Sequence, residues 1–180
     1  MMCIKKRLQK TIVIGTSCCG KTTFAGRLAA TLQSHHIELD AIYWLPGWNP
    51  RNTLDFINMV ESKTSRDNWV TDGNYKNVRE IILPRATAII WLNYTLPRVF
   101  YQAIKRTITR SWTKEALYSG NFESFQKSFF SRESILLWVL TSFNKRKRTY
   151  GKLFNEKPFP DMSYIEFRRP CDAEAFFKTL

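Results

Sequence analysis

The stretch "TIVIGTSCCGKTTF", residues 11–24, restricts this chain more than any other. A short apolar run stops at Gly15, small residues follow, and Gly20-Lys21-Thr22-Thr23 leads into an amphipathic segment. Gly15 through Thr22 satisfies G-x-x-x-x-G-K-[ST], between a run that reads as a buried strand and one that reads as a helix. Glycines let such a loop turn tightly enough for its N–H groups to face phosphate oxygens. The helix that follows adds its positive N-terminal end. In this pattern Lys21 reaches the β- and γ-phosphates and the Thr22 hydroxyl suits Mg²⁺. The expected phosphate-binding positions are Gly15, Thr16, Ser17, Cys18, Cys19, Gly20, Lys21, Thr22 and Thr23, and the expected ligands are ATP and Mg²⁺.

Elsewhere the chain alternates apolar and amphipathic segments, with no repeat and no linker. Strands are expected at 11–15, 37–40, 69–73, 86–94 and 164–167, and helices at 21–35, 52–65, 97–110, 133–150 and near the end. Asn52 or Thr53 suits a helix cap, and Pro97 a first helical turn. This alternation predicts an α/β fold of the P-loop NTPase kind, a five-stranded parallel sheet with helices on both faces, as a single domain over 1–180. Ligands then lie beyond the carboxyl ends of the strands, where Gly15, Asp40, Asp72 and Asn93 all fall.

The other candidates follow from that geometry. Asp72 is the expected second metal-holding carboxylate with Thr22, because Asn93 carries no charge. Asp40 is expected to orient a substrate hydroxyl or take its proton. Arg106 and Arg110 share a helical face and can stabilise charge on a transferring phosphoryl group. The polar, aromatic segment at about 111–132 reads as a lid or insert over the nucleotide. Arg79 is expected to hold an anionic acceptor. His35 and His36 read as surface or helix-end residues.

With 180 residues, 44% hydrophobic and 24% charged, the chain suits one domain with a core. Its longest apolar run, "SILLWVLTSF", is too short to cross a bilayer, so no membrane partner is expected. "KKRLQK" before "TIVIG" imitates a signal peptide, but the apolar run is too short for one. A net charge of +13 points to polyphosphate or nucleic acid, and "NKRKRTYGK" at 144–152 offers the second. None of the four cysteines has zinc-site spacing, and reduced thiols in a cytoplasmic protein are expected. A thiol at a helix N-terminus can be acidified, which makes Cys18 or Cys19 a candidate oxidation switch.

Taken together, "GTSCCGKTT", "LDAIYWLPGW", "WVTDGNY" followed by "VRE", and "KEALYSGNFESF…FFSRESILLWVL" resemble a bacterial family of small P-loop kinases, adenylate-kinase-like or topology-modulation proteins, over roughly residues 10–152. The resemblance implies an adenylate-kinase-like core with a helical lid and a nucleotide on Gly15–Thr22. It also implies a small-molecule acceptor near Asp40, Asp72, Tyr75 and Arg79. The chain departs from that family at Cys18 and Cys19, where glycine or serine is usual, and at Asn93, where Asp is usual. It departs again at Phe122, where the lid usually carries arginine. The expected activity is transfer of the ATP γ-phosphoryl group to a small nucleotide or hydroxyl metabolite. The alternatives are a nucleotide-dependent nucleic-acid-binding protein and a nucleotide binder without efficient turnover.

Overall fold

The computed structural model describes residues 2–113, 117–121 and 135–180. Its centre is a five-stranded sheet built from β1 (Lys10–Gly15), β2 (His35–Glu38), β5 (Trp69–Asp72), β6 (Ala88–Leu92) and β7 (Ser163–Phe167). The order across the sheet is β2-β5-β1-β6-β7, and every pairing is parallel. The strands β1, β5 and β6 are buried almost along their whole length, and β6 is apolar throughout. That composition is what strands covered on both faces require.

Alternation along the strands sorts the core into two layers. Val13, Ile90 and Leu92 face a cluster with Phe24 and Leu28, while Ile12, Ile14, Ile89 and Trp91 face one with Phe56, Val60 and Trp69. The helices covering these faces are α2 (Lys21–Leu32), α4 (Thr53–Thr64), α6 (Leu96–Thr113), α7 (Ile135–Glu156) and α8 (Pro170–Phe177). Short helices α1 (Met2–Arg7), α3 (Leu39–Tyr43) and α5 (Arg79–Ile82) lie between them. Asn52 caps α4, its side chain accepting from the Leu54 N–H at 2.9 Å. Among the described residues no helix is long and apolar enough to cross a membrane.

Several expectations shift. β2 starts at His35 and ends at Glu38, two residues earlier than the expected 37–40. Asp40 therefore sits in the first turn of α3, and Glu38 takes the strand end. An antiparallel hairpin of β3 (Trp44–Leu45) and β4 (Asn49–Pro50) was not expected; strands this short carry no periodic signal. The proposed lid divides: residues 111–113 continue α6, 117–121 form a short turn, and 114–116 and 122–132, including Phe122, lie outside the described residues.

The helix α7 takes an unusual course. Val139 and Phe143 belong to one core cluster, whereas Tyr150 belongs to the other. The helix therefore passes from one face of the sheet to the other.

Candidate active site

The loop after β1 sits at the centre of the sheet, between the two directions in which the chain winds, where open α/β sheets form their ligand crevice. Left-handed backbone at Cys18 (φ 64°) and Gly20 (φ 91°) bends it, the kind of turn that gathers N–H groups on one side. Gly20 is the N-cap of α2 and supplies no side-chain cap, so the helix opens directly onto the loop. Gly15 is required by close approach: a Cβ there would meet Cys19 Sγ at 2.6 Å and the Leu92 carbonyl at 2.8 Å.

Around this loop the expected residues converge unevenly. Lys21 folds back, its Nζ donating to the Thr16 carbonyl at 2.9 Å. The Thr22 hydroxyl donates to Asp72 Oδ2 at 2.7 Å, bringing the two expected metal-holding groups together. Thr23 points to the exposed side of the first turn. Arg106 reaches the loop from α6, its Nη1 donating to Cys18 Sγ at 3.8 Å, and Arg110 follows one turn later, half-buried. Asn93 is held elsewhere, its Nδ2 donating to Glu166 Oε1 at 2.6 Å. The thiol reading is corrected for Cys19. Burial beneath the loop pushes its pKa up, the opposite of activation.

The carboxylate Asp72 is more constrained than a turn residue would be. It is 2% exposed and ends β5, and Gly73 follows at φ 138°, where a Cβ would meet Leu39 Cβ at 2.7 Å. Its second oxygen accepts from His36 Nε2 at 2.8 Å. His36 is exposed, as a surface residue would be, but the hydrogen bond ties it to the site. Glu38 is the register partner of Asp72 on the neighbouring strand, so His36, two residues earlier, lies on the same face beside it. The hydrogen bond to Asp72 raises the His36 pKa, and burial raises that of Glu38, with Asp72's charge adding to it. Glu38 was not anticipated; its signal was an acid two residues before Asp40 in "IELD".

Beside the acids lies an aromatic wall. Tyr75 donates its hydroxyl to Asp40 Oδ1 at 2.5 Å, and its ring lies 4.6 Å from Tyr43 and 5.0 Å from Phe56. Burial first, then the Asp40 charge, holds Tyr75 in its protonated, donating form. Tyr118 donates to Glu38 Oε1 at 2.5 Å. One residue further, Ser119 donates to the Trp44 carbonyl at 2.7 Å. Asn121 both donates to the Leu45 carbonyl and accepts from the Trp48 N–H, at 2.9 and 3.0 Å. The turn 117–121 is thus clasped to the β3–β4 hairpin.

On the other side of Asp72, Asn74 Nδ2 donates to the Gly15 carbonyl at 2.9 Å and Tyr150 donates to Asn74 Oδ1 at 2.6 Å. Gly73, Asn74, Tyr75, Arg79 and Tyr150 border a cavity of about 30 Å³ floored by Ile14 and Ile89. The Arg79 guanidinium lies 5.9 Å from the Tyr150 ring centroid. Arg79 and Tyr75 thus line the same cavity.

An ATP–Mg²⁺ pair fits these residues. A hydroxyl and a carboxylate meet at the loop's end, and Mg²⁺ takes one or two such oxygens with phosphates and water completing its shell. Among the described residues no group of three or more His, Cys, Asp or Glu forms a protein-only metal cage.

No protein-family model matches the chain, and no curated protein matches it significantly. Solved structures do. Shikimate kinase from Bacteroides thetaiotaomicron aligns with a TM-score of 0.56 at 14% identity, over 94% of each chain. A gluconokinase from Sinorhizobium meliloti 1021 aligns with a TM-score of 0.51 at 15% identity, covering 96% of this chain and 97% of that one. At such identity the likeness concerns architecture. The chain has the α/β P-loop fold: a five-stranded parallel sheet with helices on both faces.

Proposed function

We propose that this chain is an ATP-dependent phosphotransferase that moves the γ-phosphoryl group to a hydroxyl of a small acceptor. The observation that carries the reading is the 2.7 Å contact of Thr22 and Asp72 at the end of the Gly15–Thr22 loop. A phosphate cradle alone serves many chemistries; a hydroxyl and a buried carboxylate converging beside it suit a metal–nucleotide complex. The adenylate-kinase-like subtype expected from the sequence belongs to this proposal too.

In this reading the loop amides and Lys21 hold the phosphate chain, Thr22 and Asp72 hold Mg²⁺, and Arg106 and Arg110 cover the γ-phosphate. Bound Mg²⁺ would neutralise charge on the phosphate oxygens. The acceptor lies against Tyr75 and Arg79, with its hydroxyl directed to Asp40. The acceptor oxygen bonds to the γ-phosphorus, the bridging bond to the β-phosphate breaks to leave ADP, and the hydroxyl proton passes to Asp40 or water. The fold's neighbours act, by their names, on shikimate and gluconate. Small hydroxylated metabolites are therefore the first acceptors to test.

The test is an acceptor screen that measures ADP release with Mg²⁺. ADP formation that depends on one acceptor supports the proposal. ATP hydrolysis indifferent to every acceptor, or no nucleotide binding at all, overturns it.

A further inference from the structure

The basic block at 144–152 divides once it is folded. It lies within α7, where Lys145, Lys147 and Arg148 are exposed while Arg146 is turned inward. Val139, Phe143, Arg146 and Tyr150 follow one another at four-, three- and four-residue steps, the spacing of one helical face. Phe143 lies in one core cluster and Tyr150 in the other, so Arg146 stands where the helix crosses the sheet. One turn on, Tyr150 is tied through Asn74 to the Gly15 carbonyl, which anchors this part of α7 to the phosphate loop. Arg146 is close enough for its charge to act on Cys19 within that loop.

Its guanidinium is incompletely used. Nη1 is buried and has no hydrogen-bond partner among the described residues. The Trp138 ring, 5.7 Å from the guanidinium carbon, supports it from one side without accepting a hydrogen bond in the plane. A buried, unsatisfied N–H on a charged group costs free energy, and native structures leave few of them without a ligand or water to complete them.

We propose that Arg146 is a phosphate-binding residue, donating from α7 to the phosphate chain held by the Gly15–Thr22 loop. The inference rests on the nucleotide-binding part of the reading above. It assigns to this helix a cation that sequence reading had placed on a nucleic-acid surface. A guanidinium suits the task because its forked donors match two phosphate oxygens at once.

The test is calorimetric binding of ATP–Mg²⁺, ADP and inorganic triphosphate to the full chain, with no turnover required. Arg146→Ala is expected to weaken ATP and triphosphate binding by roughly 10- to 100-fold, the range for a charge-assisted hydrogen bond. Arg148→Ala, two residues on and exposed, should bind as the unmodified chain does. Arg146→Lys keeps the charge and guards against misfolding of the alanine variant; it should recover only part of the loss. If Arg146→Ala and Arg146→Lys, both folded by circular dichroism, bind triphosphate normally while Lys21→Ala does not, the role of Arg146 fails and the phosphate loop stands. If the unmodified chain binds neither ATP nor triphosphate, the loop reading fails and takes this inference with it.

Discussion

Asp72 has each carboxylate oxygen committed, one to Thr22 and one to His36, so it is oriented before any ligand arrives. Preorganised charge of this kind serves catalysis because it need not rearrange during the reaction. Lys21 differs: its Nζ donates to a loop carbonyl, which phosphate oxygens would replace. Lys21→Ala should therefore lower turnover by about 100- to 1,000-fold while leaving the thermal midpoint nearly unchanged. Steady-state rates and a melting curve check both halves. His36 gives a pH dependence. Its folded pKa lies above the ordinary value of 6.5 because of the Asp72 hydrogen bond. The stabilisation is complete below 6.5 and is lost as pH rises through the folded value. Melting temperatures of the unmodified chain and of His36→Gln, without nucleotide, should differ most below pH 6.5 and converge as pH rises above the folded value. A constant gap across that range would mean that packing, not protonation, supports His36.

Among the elements, the clasp between the turn 117–121 and the β3–β4 hairpin rests on Asn121, which is 5% exposed and engages backbone groups of Leu45 and Trp48. Asn121→Ala removes the side chain that both groups engage and should cost about 1–3 kcal/mol in urea denaturation. Loosening the hairpin should also raise the acceptor KM more than the ATP KM. The uneven visibility of the elements has physical causes. β1 and β6 announced themselves as unbroken apolar runs, because both their faces are covered. β2 is an edge strand that begins with two exposed histidines, so its polar start hid it and displaced the expected boundary. The glycines of the phosphate loop were legible because backbone geometry dictates their type, and Lys21 because the motif places a cation there. His36, Glu38 and Arg146 were not, because what distinguishes them is a neighbour from a distant part of the chain: Asp72 for the first two, and the phosphate loop for the third.

At the scale of the whole molecule, charge and architecture have separate roles. The +13 net charge draws anions toward the protein, but it does not say where they bind. The sheet topology does, by bringing Gly15, Asp72 and Glu38 to one edge. The passage of α7 between two cores has a mechanical corollary. A rod seated at one end among Val139 and Phe143 and at the other around Tyr150 rivets the two layers together, so neither can peel away while the other survives. Denaturant should then dismantle the protein in a single step, with tryptophan fluorescence and far-ultraviolet ellipticity tracing one curve. Severing the rivet with a proline at Gly151, inside the helix, should split that curve in two.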